Sequence, residues 1–145
     1  MFNAIKKYTN AVIFDAYGQS EVSGVINFKE ITDSGNIAVG KSLENSISDV
    51  RDIDGKLLPD GVMGELYFGG PCVGKGYYNL DKTKDVFIEI NGVPYCKSGD
   101  YAIKTSDGEF IIKGRIDNQI KLRGLRIETG EIEYNIGNYP NISSS

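Results

Sequence analysis

The chain has 145 residues, 40% hydrophobic and 25% charged, the balance of one globular domain or part of a larger one. Sixteen basic and twenty acidic residues leave a net charge of −4, which disfavours binding to nucleic acid or an anionic membrane through charge. Histidine is absent, which excludes Ser-His-Asp and Cys-His nucleophilic sites and His-ligated metals within the chain.

In chain order, the only early apolar run, Ala11–Phe14, is too short for a signal core or a membrane span, so the expectation is a cytoplasmic protein. Ala11–Asp15 reads as an apolar strand running into the turn Tyr17-Gly18, as at the end of a parallel strand in an α/β layer. Gly64–Phe68 is a further strand. The glycine-rich stretch Gly69–Gly76 lacks phosphate-loop spacing, because Lys75 is followed by Gly76 and not by Ser or Thr. Its glycines suit sharp bends and close strand contacts instead. Cys72 and Cys96 form no CxxC pair and read as reduced, packed thiols.

Val86–Ile90 and Val93–Cys96 flank Asn91-Gly92, and Tyr101–Thr105 and Glu109–Lys113 flank Asp107-Gly108; both predict tight hairpins. Ile116–Leu122 alternates as a half-buried strand, apart from polar Asn118. Thr129 is the expected N-cap of a short helix through Asn135, stopped by Gly137 and Pro140. The fold expected is mainly β, a distorted barrel with short α elements at the ends.

Four segments in order carry a resemblance: DAYGQSE from Asp15, GELYFGGPCVGKGYYN from Gly64, KSGD from Lys97, and GRIDNQIKLRGLRIETGEIE from Gly114. Together they resemble the adenylate-forming superfamily, and the last fits the hinge motif of nonribosomal peptide synthetase adenylation domains. Members of that superfamily activate a carboxylate with ATP to an acyl-adenylate and pass the acyl group to a thiol. The resemblance therefore implies an ATP-dependent ligase that adenylates an amino acid or other small carboxylic acid. It implies ATP/AMP and Mg²⁺ as cofactors and a phosphopantetheine carrier protein as partner, with no nucleic acid and no membrane.

Residue by residue, the resemblance implies that Tyr17 faces the adenine, Asp15 accepts from its amine, and Ser20 donates to the α-phosphate. Glu21 is implied as the Mg²⁺ ligand, a hard oxygen donor of the kind Mg²⁺ prefers. Asp100 is implied to accept both ribose hydroxyls, and Arg115 to reach the same ribose. Ala16, Gly24 and Val25 are implied to line the substrate pocket, Asp117 to be the hinge, and Arg123, Gly124 and Leu125 to form a loop entering the thiol tunnel. Taken singly, Arg115 and Asp117 also suit a simple surface pair on one strand face. Departures from the family pattern include Gln19 for a usual proline, which predicts a looser turn, and serine for threonine at Ser20 and Ser98.

The family's phosphate loop and late lysine have no counterpart in these residues, so the expectation is a fragment of an α/β adenylate-forming enzyme with no catalytic residue of its own and no activity alone. Its expected divisions are 1–34, the end of the large domain; 35–116, the β-barrel subdomain; and 117–145, the hinge and start of a small C-terminal domain. The alternative is a stand-alone β-barrel binding module without catalysis.

Overall fold

A computed structural model describes residues 2–32, 35, 38–78, 80–117, 120–122, 125–127 and 129–138. The chain divides into two compact units, Met1–Gly114 and Arg115–Ser145.

The first unit opens with helix α1 (Phe2–Lys6), which buries none of its side chains. Strand β1 (Phe14–Tyr17) follows, then a 3-10 turn at Ser20–Val22, and strands β2 (Asn27–Glu30) and β3 (Lys41–Ser42). These form a three-stranded sheet in the order β1-β2-β3. The strand expected at Ala11–Asp15 thus begins only at Phe14, and its observed partner is antiparallel: Phe14 stands opposite Glu30 and Tyr17 opposite Asn27. The return is short because Ser23 (φ 64°) and Gly24 (φ 98°) reverse the chain within a few residues of Tyr17.

The second sheet holds β4 (Ile47–Arg51), β5 (Met63–Gly69), β6 (Phe87–Ile90), β7 (Val93–Lys104) and β8 (Phe110–Arg115). Its order is β4-β5-β7-β6, with β8 also paired to β7, so the twelve-residue β7 curls the sheet into a half-barrel. Both hairpins form where the turn residues predict them. Ile90 pairs with Val93 across Asn91 (φ 53°) and Gly92 (φ 78°), the two positive angles a two-residue turn needs. At the other, the Gly108 N–H donates to Thr105 O at 2.9 Å, and only Gly108 takes a positive φ. Val86 is the last residue of helix α2 (Leu80–Val86), not the first of a strand.

Alternation along the strands sets the core. Val50 on β4, Leu66 and Phe68 on β5, Cys96 and Ala102 on β7, and Phe110 on β8 gather with Val22, Ile26 and Val39 into one buried cluster. Cross-links reach between the sheets: the Val39 N–H donates to Phe110 O at 2.8 Å, and Ser48 Oγ donates to Oδ1 of the fully buried Asn27 at 3.0 Å. On the opposite face the Arg51 guanidinium lies 5.9 Å from the Tyr67 ring centre and 5.0 Å from that of Tyr95, and donates to Asp49 Oδ2 at 2.6 Å. Burial alone would lower its pKa, but hydrogen bonds to Asp49 and Tyr95 outweigh that and raise it.

The second unit holds an antiparallel pair, β9 (Ile120–Leu122) and β10 (Leu125–Ile127), and helix α3 (Thr129–Gly137). The continuous strand expected over Ile116–Leu122 is not present: β8 ends at Arg115, the chain bends at Ile116 and Asp117, and β9 starts at Ile120. Gly114 takes φ 135° one residue before the end of β8, and Ile116, just after it, is exposed. Thr129 is the first helical residue of α3, one place inside the expected cap. No described helix is long and apolar enough to cross a membrane.

Candidate functional site

The candidate site is built on an irregularity in β7. Glu65 pairs with Tyr101 and Tyr67 with Lys97, so Ser98, Gly99 and Asp100 stand opposite the single Leu66. Such a bulge needs a residue free to take positive φ, and Gly99 does so at 71°. Within it the Asp100 N–H donates to Ser98 Oγ at 2.9 Å, and the Gly99 N–H to Glu65 Oε1 at 3.1 Å. The Asp100 side chain is buried, and its Oδ2 accepts the Tyr17 hydroxyl. A buried carboxylate is costly unless hydrogen-bonded, and Tyr17 supplies a bond across 83 positions of chain.

Tyr17 is placed by its own strand. Its ring rests at a tilt on Phe68, 6.2 Å between centroids, and its carbonyl accepts the Ile26 N–H at 2.9 Å. The next residue must be glycine, because a Cβ on Gly18 would fall 2.2 Å from the Gly24 carbonyl oxygen. The turn after it is firmly held despite Gln19 replacing proline. The Val22 and Gly24 N–H groups donate to Gln19 O at 3.1 and 3.0 Å, and Gln19 Nε2 donates to Cys96 Sγ at 3.3 Å. The Gln19 amide thus ties the turn to β7, where the family pattern has a proline ring.

Glu21 follows on the same turn and is buried. Its carboxylate accepts the Tyr77 hydroxyl at 2.5 Å, and its carbonyl accepts the Gly74 N–H at 2.8 Å. Ser23 Oγ donates to Cys72 O at 3.2 Å. The glycine-rich stretch therefore grips the segment after Tyr17, and Gly74 lies so close to Glu21 that an added Cβ would sit 3.1 Å from its carbonyl oxygen. Among the described residues no group of three or more Asp, Glu, Cys or His side chains is placed to hold a metal ion. A single buried carboxylate still fits Mg²⁺ carried on a nucleotide, since Mg²⁺ is usually held by one or two carboxylates plus phosphate oxygens.

Asp15 and Tyr17 share one half-buried face of β1, while Ala16 lies on the exposed face. Ser20 is exposed at the start of the 3-10 turn. Gly24 has open space around its Cα, and Val25 is exposed. Arg115 belongs to the second unit and clamps Asp117 with two bonds, Nε to Oδ1 at 2.8 Å and an η nitrogen to Oδ2 at 2.6 Å. The surface-pair arrangement of those two residues is thus present. Arg123 and Gly124 lie outside the described residues, and Leu125 begins β10 opposite Leu122. Sequence reasoning missed Glu65 and Tyr77 as partners of Asp100's bulge and of Glu21. Both sit in the GELYF and GYYN runs, but no local pattern signals where a side chain on one strand meets a residue far along the chain.

Residues 2–78, just over half of the chain, match the AMP-binding enzyme family. The chain belongs to the AMP-binding enzymes. Within the adenylate-forming superfamily it is close to peptide synthetase adenylation domains. It is 41% identical over 132 residues to the non-canonical nonribosomal peptide synthetase hkm10 of Aspergillus hancockii, covering 82% of this chain and 13% of that protein. To the D-alanine–D-alanyl carrier protein ligase of Lactiplantibacillus plantarum it is 37% identical over 135 residues, 89% of this chain and 27% of that one. Among solved structures it matches the Vibrio cholerae adenylation domain AlmE, in complex with glycyl-adenosine-5′-phosphate, at a TM-score of 0.83 and 27% identity, over 94% of this chain and 27% of that chain. The artificially fused adenylation–PCP di-domain NpsA-ThdA from Klebsiella oxytoca matches at a TM-score of 0.80 and 26% identity, over 96% and 28%. The chain spans less than a third of the length of these curated relatives.

Proposed function

We propose that this AMP-binding chain contributes the adenosine-binding and Mg²⁺-binding half of an ATP-dependent ligase that adenylates a small amino or carboxylic acid and hands it to a carrier-protein thiol. The observation that carries this reading is the hydrogen bond between Tyr17 and Asp100, which unites two of the family motifs at one buried carboxylate. A carboxylate has about four lone-pair positions, so Asp100 can keep the Tyr17 hydroxyl and still accept both hydroxyls of a ribose. Asp15, on the same face of β1 as Tyr17, suits an acceptor for the adenine amine. Ser20, exposed one residue before Glu21, suits a donor to the α-phosphate.

Glu21 would hold Mg²⁺, which when bound offsets charge on the phosphates. Tyr77 and Gly74 fix the Glu21 side chain and backbone, so the carboxylate needs little rearrangement to serve that role. Small residues at Ala16 and Gly24, with Val25 beside them, suit a pocket for a compact acid. In this reading Asp117 is the hinge and Arg115 is a ribose-binding residue. The parts expected of the chain are then 1–34, 35–116 and 117–145 as divided above. Carrier-protein ligases and adenylation–carrier di-domains among the relatives support a carrier-protein partner.

Titration of the chain with AMP, followed by backbone chemical shifts, tests the reading. AMP should perturb both the Asp15–Glu21 and Ser98–Asp100 segments, and Asp100→Asn should weaken binding about tenfold by removing the charged acceptor. Shifts in neither segment, or an unchanged affinity in the variant, would refute it.

A further inference from the structure

The bulge that carries Asp100 has an unusual support. Three residues of β7 face one of β5, so the Ser98–Gly99–Asp100 segment departs from the regular register with β5. Two side chains brace it. Ser98 Oγ accepts the Asp100 N–H from within the bulge, and Glu65 Oε1 accepts the Gly99 N–H from the neighbouring strand. Gly99 has no side chain of its own to anchor it, and its positive φ lies in a region glycine enters and leaves easily. The peptide plane joining Ser98 to Gly99 is therefore fixed chiefly by what receives its N–H. A reversed plane would turn the Ser98 carbonyl oxygen toward the Glu65 carboxylate, two acceptors facing one another. The next residue is Asp100, whose aim toward Tyr17 depends on that plane.

We propose that Glu65 is a positioning residue for nucleotide binding: by receiving the Gly99 N–H it locks the bulge in the one arrangement that presents the Asp100 carboxylate to a ribose diol. The inference rests on the adenosine reading of Asp100 above. It gives the Glu of the GELYF run a task beyond strand formation, and one for which charge matters less than an acceptor oxygen at the right reach.

The experiment compares the affinity of the chain for AMP and for 2′,3′-dideoxy-AMP, which lacks the diol. The wild-type chain should prefer AMP. Glu65→Ala should lose about tenfold of that preference, chiefly through AMP, with dideoxy-AMP binding little changed. Glu65→Gln, which keeps an acceptor oxygen at the same reach, should restore it. Glu65→Asp keeps the charge but withdraws the oxygens by one methylene, and should behave like alanine; it also serves if the alanine variant does not fold. Diol preference retained in Glu65→Asp, or lost in Glu65→Gln, would overturn the role of Glu65 while leaving the adenosine reading intact. A wild-type chain that binds both nucleotides equally would overturn the adenosine reading and this inference with it.

Discussion

The Tyr77 hydroxyl donates to Glu21 Oε1 at 2.5 Å across 56 positions of sequence, and the Gly74 N–H meets the carbonyl of the same glutamate at 2.8 Å. The glycine-rich loop is thus a mount for Glu21. Thr83 holds Tyr77 in turn, its Oγ1 accepting the Tyr77 N–H at 2.8 Å, and the Phe87 ring meets the Tyr77 ring edge-on.

Tyr77→Phe keeps the edge contact with Phe87 and removes only the donor to a buried carboxylate. It should lower stability by about 1–3 kcal/mol, the usual cost of leaving such a group unsatisfied. Denaturant midpoints of the two proteins measure this; an unchanged midpoint would mean that water replaces the hydroxyl.

Two glycines in one turn should respond differently to alanine. At Gly18 a Cβ would strike backbone atoms, Gly24 O at 2.2 Å and Ile26 N at 3.0 Å, which cannot move without opening the turn. Gly24 takes φ 98° but has open space, so alanine there suffers only conformational strain. Gly18→Ala should cost more than about 3 kcal/mol, and Gly24→Ala about 1–3 kcal/mol. The order, read from thermal or chemical unfolding, is the test.

Burial pushes the Tyr67 and Tyr95 phenols above the ordinary value of about 10, with the charges of Glu65 and Asp49 adding respectively. In the folded chain both hold their protons at a pH where the unfolded chain has begun to lose them. Stability from these groups is therefore full below about pH 10 and falls as pH rises through their folded values. Tyr67 and Tyr95 should ionise late in an ultraviolet titration, and unfolding should steepen above about pH 10. Tyr95→Phe should flatten that alkaline slope, while costing stability at neutral pH through the lost 3.0 Å bond to Asp49.

The Arg115–Asp117 pair is well formed but leaves Asp117 half in solvent. Exposed pairs contribute about 0–1 kcal/mol, so Asp117→Asn should leave the unfolding midpoint nearly unchanged. A large loss would mean that the pair holds the second unit together.

Features set by a few neighbouring residues were legible in the sequence. Asn91-Gly92 names a hairpin because those two residues tolerate the positive φ that a two-residue turn imposes, and α3 runs from Thr129 to Gly137, close to where its polar start and glycine stop put it. The motif residues Tyr17 and Asp100 were also legible as candidates, each from its own segment. What the chain's local patterns could not give was pairing. Ala11–Asp15 reads alike for a parallel or an antiparallel partner, and only the reversal at Ser23 and Gly24 brings β2 alongside β1. Ile116–Leu122 alternates as a strand does, yet the chain bends at Ile116 and Asp117 and only Ile120–Leu122 is strand. Tertiary structure alone decided that three residues of β7 oppose one of β5, that Glu65 catches the Gly99 N–H, and that Asp100 meets Tyr17. Register and bulges depend on how two distant strands share one core, and a single strand's sequence carries only its half of that fit.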